Sequence, residues 1–203
     1  DVEVTGYDLR ALKTAALGFA VSFRGADHNR HGAYSFDVKG KVNRLVVEKG
    51  RGKMVKDMED MYTIIDSLII CKFSRGTYYK GIEDMAKLYT LVTGIEMTPE
   101  EMRKSGERIN NIARIFNIRE GRGRRKDDTL PYKVMHQPIT DEGPSKGAYV
   151  SQKELDLLLD DYYEARGWTR EGIPTIEKLR ELAMDDLIPI VEQKLAKPKK
   201  VEE

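Results

Sequence analysis

Apolar positions along this chain recur mainly three and four residues apart, the spacing of an amphipathic helix. Residues 8–23 put Leu9, Leu12, Ala16, Phe19, Ala20 and Phe23 at helical spacing, with Asp8 as N-cap and Gly25 as stop. That face is long and rich in alanine, which predicts a well-buried helix. Residues 50–65 carry Met54, Val55, Met58, Met61 and Tyr62 on one side of a second helix. A third, over 79–93, carries Ile82, Met85, Ala86, Tyr89 and Val92 and ends at Thr93-Gly94. Thr98-Pro99-Glu100-Glu101 starts a fourth, which runs to about residue 118. Thr98 caps it, Pro99 sits in its first turn, and Glu101 closes a capping box. Ser151 and Glu154 repeat that box ahead of a stripe of Leu155, Leu158, Leu159, Tyr162 and Tyr163, which stops at Gly167. Two short helices follow, over about 175–184 and 186–195.

The pattern breaks in two places. Residues 24–40 are polar and dense in Gly and His, and read as an ordered loop. Residues 119–150 mix Gly, Pro and charge over a length too great for an idle connector. Strand signals are scarce, and NRLVVEK at 43–49 is the best of them. The expected class is all-α and multihelical, as two helical subdomains parted near 119–150. The expected organisation is a helical region over 1–118, the irregular loop 119–150, C-terminal helices over 151–196 and a disordered tail over 197–203.

Composition narrows the partners. Hydrophobic residues make up 40% and charged residues 34% of the 203, a globular mix. Net charge is +1, which removes any bulk electrostatic case for nucleic acid or a membrane surface. No apolar run approaches the roughly 20 residues of a membrane span. Asp1 rather than methionine opens the chain, so it reads as a fragment or a processed chain. A single cysteine excludes an internal disulfide and leans toward a cytoplasmic address.

That cysteine, Cys71, lies in IIDSLIICKFSRG. Its plain alternative is a buried small hydrophobe. Against this, Asp66 sits in the same apolar stretch and must be solvated, paired or hydrogen-bonded there. Lys72 follows directly, and positive charge favours thiolate, the form that attacks electrophiles or binds metal. One cysteine cannot hold a metal cluster, so any such role needs ligands from elsewhere. His28 and His31 lie in Asp27-His28-Asn29-Arg30-His31, where a zinc site or a His28–Cys71 dyad is conceivable but no spacing selects either. The run 119–126, with GRGR, is the one basic cluster, and pairing with Asp127 and Asp128 is its plainer reading. GRGK at 50–53 lacks the spacing of a phosphate-binding Walker loop.

Several segments in order carry a resemblance: ALGFAVSFRGADH, DSLIICKF, TGIEMTPEEMRKSGERINNIARIFNIREG, RKDDTLP and LDDYYEARGWTREGIPTIEKLREL. Together, over about residues 3–185, they resemble the C-terminal portion of the tungsten-containing aldehyde ferredoxin oxidoreductases. The resemblance implies a fold with an N-terminal β domain and two mainly helical domains, this chain being the last. It implies a tungsten bis-pterin (tungstopterin) cofactor and a [4Fe–4S] cluster, with aldehydes oxidised to carboxylic acids and electrons passed to ferredoxin. The family's Asp-x-x-Gly-Leu-Cys segment falls on Asp66–Cys71. Asp66 would accept hydrogen bonds from the pterin, Cys71 would be the fourth cluster ligand, and Lys72 would lie beside both. Ile69 and Ile70 replace the pattern's glycine and leucine, and the missing glycine bears on how closely a backbone can approach the pterin. A histidine two residues before a base falls on His28 and Arg30. The histidine, His28 with His31 as the alternative, would donate or shuttle a proton, and Arg30 would pair with the pterin's phosphate or polar edge.

The other three cluster cysteines are absent, as is the β domain. The expectation is therefore a chain that binds neither cofactor by itself and is inactive alone. Its partners would be the remaining domains, ferredoxin and an aldehyde, and its exposed face unusually apolar. The competing readings are a helical interaction or nucleic-acid-binding module using 119–126, and a thiol enzyme using Cys71 and His28.

Overall fold

The computed structural model describes residues 5–195. Those residues form an all-α, multihelical protein with nine α-helices: α1 Lys13–Val21, α2 Tyr34–Val38, α3 Arg51–Ser67, α4 Ile82–Thr93, α5 Pro99–Arg119, α6 Tyr132–His136, α7 Gln152–Arg166, α8 Ile176–Glu181 and α9 Ile188–Leu195. The expected disordered tail lies outside the described residues.

Helix α3 is the axis, packed by α7, α5 and α1. All nine residues of α1 are buried, as its alanine-rich face predicted. It is shorter than the 8–23 pattern, because Asp8 caps a separate 3-10 turn, Leu9–Ala11, by accepting the Arg10 N–H. Both predicted capping boxes form, at Thr98–Glu101 and Ser151–Glu154. Gly94 and Gly167 end α4 and α7 with φ of 72° and 67°, the left-handed region open to glycine.

Three apolar clusters make the core. The largest joins α1 and α7 to Leu130, Val134, Met135, Val150 and Trp168. A second gathers Tyr62, Ile64, Ile65, Met85, Ala86 and Met102 from α3, α4 and α5, with Tyr79 from the turn before α4. The third joins Ile115 and Ile118 to the C-terminal residues Leu179, Leu182, Met184 and Val191. The 119–150 segment therefore wraps the first cluster, and it contains α6.

The 43–49 strand does not form, and no strand occurs among the described residues. A strand needs a neighbouring ladder, whereas here the carbonyls of Asn43 and Val46 accept from the Arg51 guanidinium, and that of Arg44 accepts from the Lys13 N–H. GRGK is a packing device. A Cβ at Gly52 would overlap the α7 backbone at Asp161 and Tyr162. The Asp161 carboxylate in turn accepts the N–H groups of Gly50 (2.9 Å) and Gly52 (2.6 Å), capping α3 from another helix.

Arg166 locks α7 to α3. It is fully buried and donates to Asp60 (2.6 Å), Glu59 (2.7 Å) and the Tyr162 hydroxyl (3.0 Å). Burial alone would raise the Asp60 carboxyl, but Arg166 and Lys56 hold it below its ordinary value. Arg114 and Asp128 form a second buried pair, with the Tyr163 hydroxyl donating to the same carboxylate.

Candidate functional site

Helix α3 runs two residues past its predicted end, so Asp66 stands in its last turn and not in a separate apolar segment. The chain leaves the helix through a Schellman turn. The Ile70 N–H donates to the Ile65 carbonyl (3.1 Å) and the Ile69 N–H to that of Asp66 (3.1 Å). This turn needs a left-handed residue at its hinge, and Ile69 supplies it with φ of 57°. The family pattern's glycine is missing here, yet the backbone keeps a glycine-type conformation. The Ile69 side chain points outward, 92% exposed.

The turn carries Cys71 to the surface. Its thiol is exposed, which rules out a core cysteine. Its carbonyl accepts from the Ser74 N–H (3.0 Å) and hydroxyl (2.6 Å), closing the 3-10 turn Lys72–Ser74. Phe73, 99% exposed, and Tyr78 flank it.

Four of the predicted residues meet through one carboxylate and one short turn. Asp66, with a side chain 30% exposed, forms ion pairs with Arg30 and Lys72. Arg30 lies 3.7 Å from Asp27, and Arg24 Nε donates to Asp27 at 2.8 Å. The result is an alternating ladder of Arg24, Asp27, Arg30, Asp66 and Lys72. Burial would raise the Asp27 carboxyl, but hydrogen bonds from Arg24 and Asn29 and the charge of Arg30 hold it below its ordinary value. Asp27 also caps the 3-10 turn His28–Arg30, which sets His28 beside Arg30.

His28 is half-buried between Tyr7 (ring centroids 5.4 Å) and Tyr34 (5.7 Å). Its Nδ1 is buried with no hydrogen-bond partner among the described residues. No hydrogen bond joins His28 to Cys71 among those residues, so the dyad gains no support. His31 also has a nitrogen, Nε2, unbonded among the described residues, but its setting differs. It is fully buried, its Nδ1 accepts the Ala33 N–H (3.1 Å), and it fills the space a Cβ at Gly18 would need. Burial, followed by the nearby His28 charge, lowers its pKa to about 3.

Sequence reasoning missed the aromatic and cationic surround. The Arg75 guanidinium bonds the Tyr62 hydroxyl and stacks at 5.3 Å on that ring, with Lys72 Nζ 5.2 Å from it. Tyr7 stacks on Tyr34 at 4.6 Å. The unabsorbed signal was Arg75 and the tyrosines themselves. The basic run 119–126 is partly spent internally. Arg125 pairs with Asp156 (3.0 Å) and Asp160 (2.6 Å), while Asp128 goes to Arg114 instead of the run.

No three His, Cys, Asp or Glu side chains converge as a metal site among the described residues, so Cys71 could supply one ligand and no more. An outward thiol fits that role, and a carboxylate held by two cations but still part-exposed fits an acceptor for pterin N–H groups. No helix is long and apolar enough to cross a membrane among those residues.

The family profile for aldehyde ferredoxin oxidoreductase, domains 2 & 3, matches residues 1–184. The tungsten-containing aldehyde ferredoxin oxidoreductase of Pyrococcus furiosus is 36% identical over 186 residues, which is 90% of this chain and 30% of that protein. Its counterpart in Pyrococcus abyssi is 34% identical over 189 residues, 92% of this chain and 30% of the other. The chain thus spans about 30% of the length of these curated relatives. Among solved structures, the active site complex BamBC of benzoyl coenzyme A reductase with 1,5-dienoyl-CoA matches with a TM-score of 0.56. That match has 27% identity and covers 75% of this chain and 21% of that one.

Proposed function

Because this chain belongs to the aldehyde ferredoxin oxidoreductase family, matching its domains 2 and 3, we propose that it is the C-terminal helical part of a cytoplasmic tungstopterin and iron–sulfur enzyme. That enzyme would oxidise an aldehyde to its carboxylic acid and pass the electrons to ferredoxin. The observation that carries the reading is the convergence of Arg30 and Lys72 on Asp66, one turn from an exposed Cys71 thiol.

When bound, the tungsten cofactor and the cluster would supply the redox centres, which side chains lack. This chain's residues do the rest. Cys71 contributes one thiolate to a [4Fe–4S] cluster, whose other ligands come from outside the chain. Asp66 accepts hydrogen bonds from pterin nitrogens. A carboxylate has about four acceptor positions, so two cations leave room for them. Lys72 and Arg30 fix that carboxylate and offer charge to the pterin's polar edge. His28 holds or moves a proton at its imidazole, where aldehyde oxidation releases protons. Phe73, Ile69 and Tyr78, bare here, pack against the domains that complete the site. The chain alone is inactive.

The test is a full-length enzyme carrying Cys71→Ser. Iron per protein should fall while the helical content stays, and aldehyde-dependent dye reduction should be lost. Wild-type iron in that variant, or turnover by the isolated 203-residue chain, would overturn the reading.

A further inference from the structure

Tyr62 and Asp66 stand four residues apart, on one face of α3. The 3-10 turn after Cys71 lies along that face and meets both. Lys72, its first residue, pairs with Asp66, and Arg75, at its end, bonds the Tyr62 hydroxyl. The two cations share the Tyr62 ring, at 5.2 Å and 5.3 Å from its centroid. Arg75 makes a further bond within the turn, Nε donating to the Lys72 carbonyl at 3.0 Å. Ser74 already holds the Cys71 carbonyl, so two successive carbonyls of the cysteine turn are tied down.

Tyr62 is a firm anchor. It is 1% exposed, and its ring and hydroxyl occupy the space that a Cβ at Gly32 would need. The Gly32 N–H donates to the His28 carbonyl (2.9 Å), so this one tyrosine touches the histidine turn while its hydroxyl holds the cysteine turn. None of these contacts uses Asp66.

We propose that Arg75 is a positioning residue for the Cys71 thiolate, acting through Tyr62. The inference rests on the proposed function, in which that thiolate ligates a cluster. Lys72 alone gives the cysteine turn one attachment to α3, about which it can swivel. The Arg75–Tyr62 contact adds a second attachment one helical turn away, and two points fix the direction in which Cys71 leaves the backbone. A guanidinium suits the task, because its planar fork holds a carbonyl and a hydroxyl at once in a set geometry, whereas an ammonium is a point charge on a flexible stem.

The test is the full-length enzyme carrying Arg75→Gln, read by the electron paramagnetic resonance spectrum of the reduced cluster and by iron release to a chelator. The spectrum should shift or broaden, and iron should leave about tenfold faster, the lower end for residues that orient metal ligands. Helical content should stay, since Arg75 is exposed, and its loss would make the residue structural and overturn the assignment. Arg75→Lys should behave as Arg75→Gln does, because charge alone does not rebuild the fork. Tyr62→Phe should reproduce both changes, and the double variant Arg75→Gln/Tyr62→Phe should be no worse than either single, as for two residues acting as a unit. Arg103→Gln, at an exposed arginine paired with Glu83, should match the wild type. Wild-type spectrum and iron release in Arg75→Gln, full rescue by Arg75→Lys, or additive effects in the double variant would overturn the inference. If Cys71→Ser loses iron while Arg75→Gln matches the wild type, this inference fails and the proposed function stands. If Cys71→Ser keeps its iron, both fail.

Discussion

Replacing Ile69 with glycine should stabilise the protein. Ile69 holds a φ of 57°, where a β-branched side chain crowds its own backbone. The left-handed region costs an L-residue roughly 1–2 kcal/mol relative to its ordinary conformations, and glycine escapes that cost. Glycine loses about 0.5–1 kcal/mol by being freer in the unfolded chain. Little packing is lost, because the side chain is 92% exposed. The Schellman bonds at Ile69 and Ile70 use backbone only and survive the change. The net gain is about 0.5–1 kcal/mol. In a chain of this size that raises Tm by roughly 1–4 °C. Urea unfolding followed by circular dichroism measures it, with Ile69→Ala as control. Alanine shares the left-handed cost and should gain much less. If Ile69→Gly is neutral or destabilising, or alanine matches glycine, the strain argument is wrong.

His31 has a folded pKa of about 3 against an ordinary 6.5, so the unfolded chain binds the extra proton between those values. Stability from this group is complete above the higher value and is lost as pH falls toward the lower. Between pH 7 and pH 5 the loss is about 2 kcal/mol, and urea titrations of His31→Asn should show that slope removed. Arg166→Met leaves Glu59 buried without its cation, while Asp60 keeps Lys56, and should cost about 3–5 kcal/mol by denaturant melts. Gly52→Ala forces α3 off the α7 backbone and should cost at least about 1–3 kcal/mol in the same assay. Cys71→Ser in the isolated chain should change stability by less than about 0.5 kcal/mol, since the thiol is exposed.

What could be read from the sequence is what is local. The boxes at Thr98 and Ser151 and the glycine stops at 94 and 167 are each set within a few residues of backbone, so composition and spacing suffice. Helix α3 outran its prediction because its end is fixed by Ile69 adopting a conformation that its residue type disfavours. The 43–49 segment has β-type residues, but a strand also requires a partner, and Arg51 claimed its carbonyls instead. Asp161 capping α3 and Arg166 bridging to Glu59 and Asp60 join residues more than 100 positions apart. No periodicity encodes such pairings.

The site shows the same division, with one further step. Asp66, Cys71 and Lys72 are sequence neighbours and could be grouped on sight. Arg30 joins them only because α1 packs on α3 and its following turn, capped by Asp27, delivers the guanidinium to Asp66. The two histidines separate for a physical reason too. His31 fills the gap left by Gly18 in the α1 core, so burial suppresses its charge, while His28 three residues earlier is only half-buried. A proton carrier needs an accessible, titratable ring, and a core residue under that much desolvation cannot be one near neutral pH. The choice between them was open in the sequence because both match a loop histidine beside a base. Packing against Gly18 accounts for the burial of His31 and leaves His28 the less buried of the two.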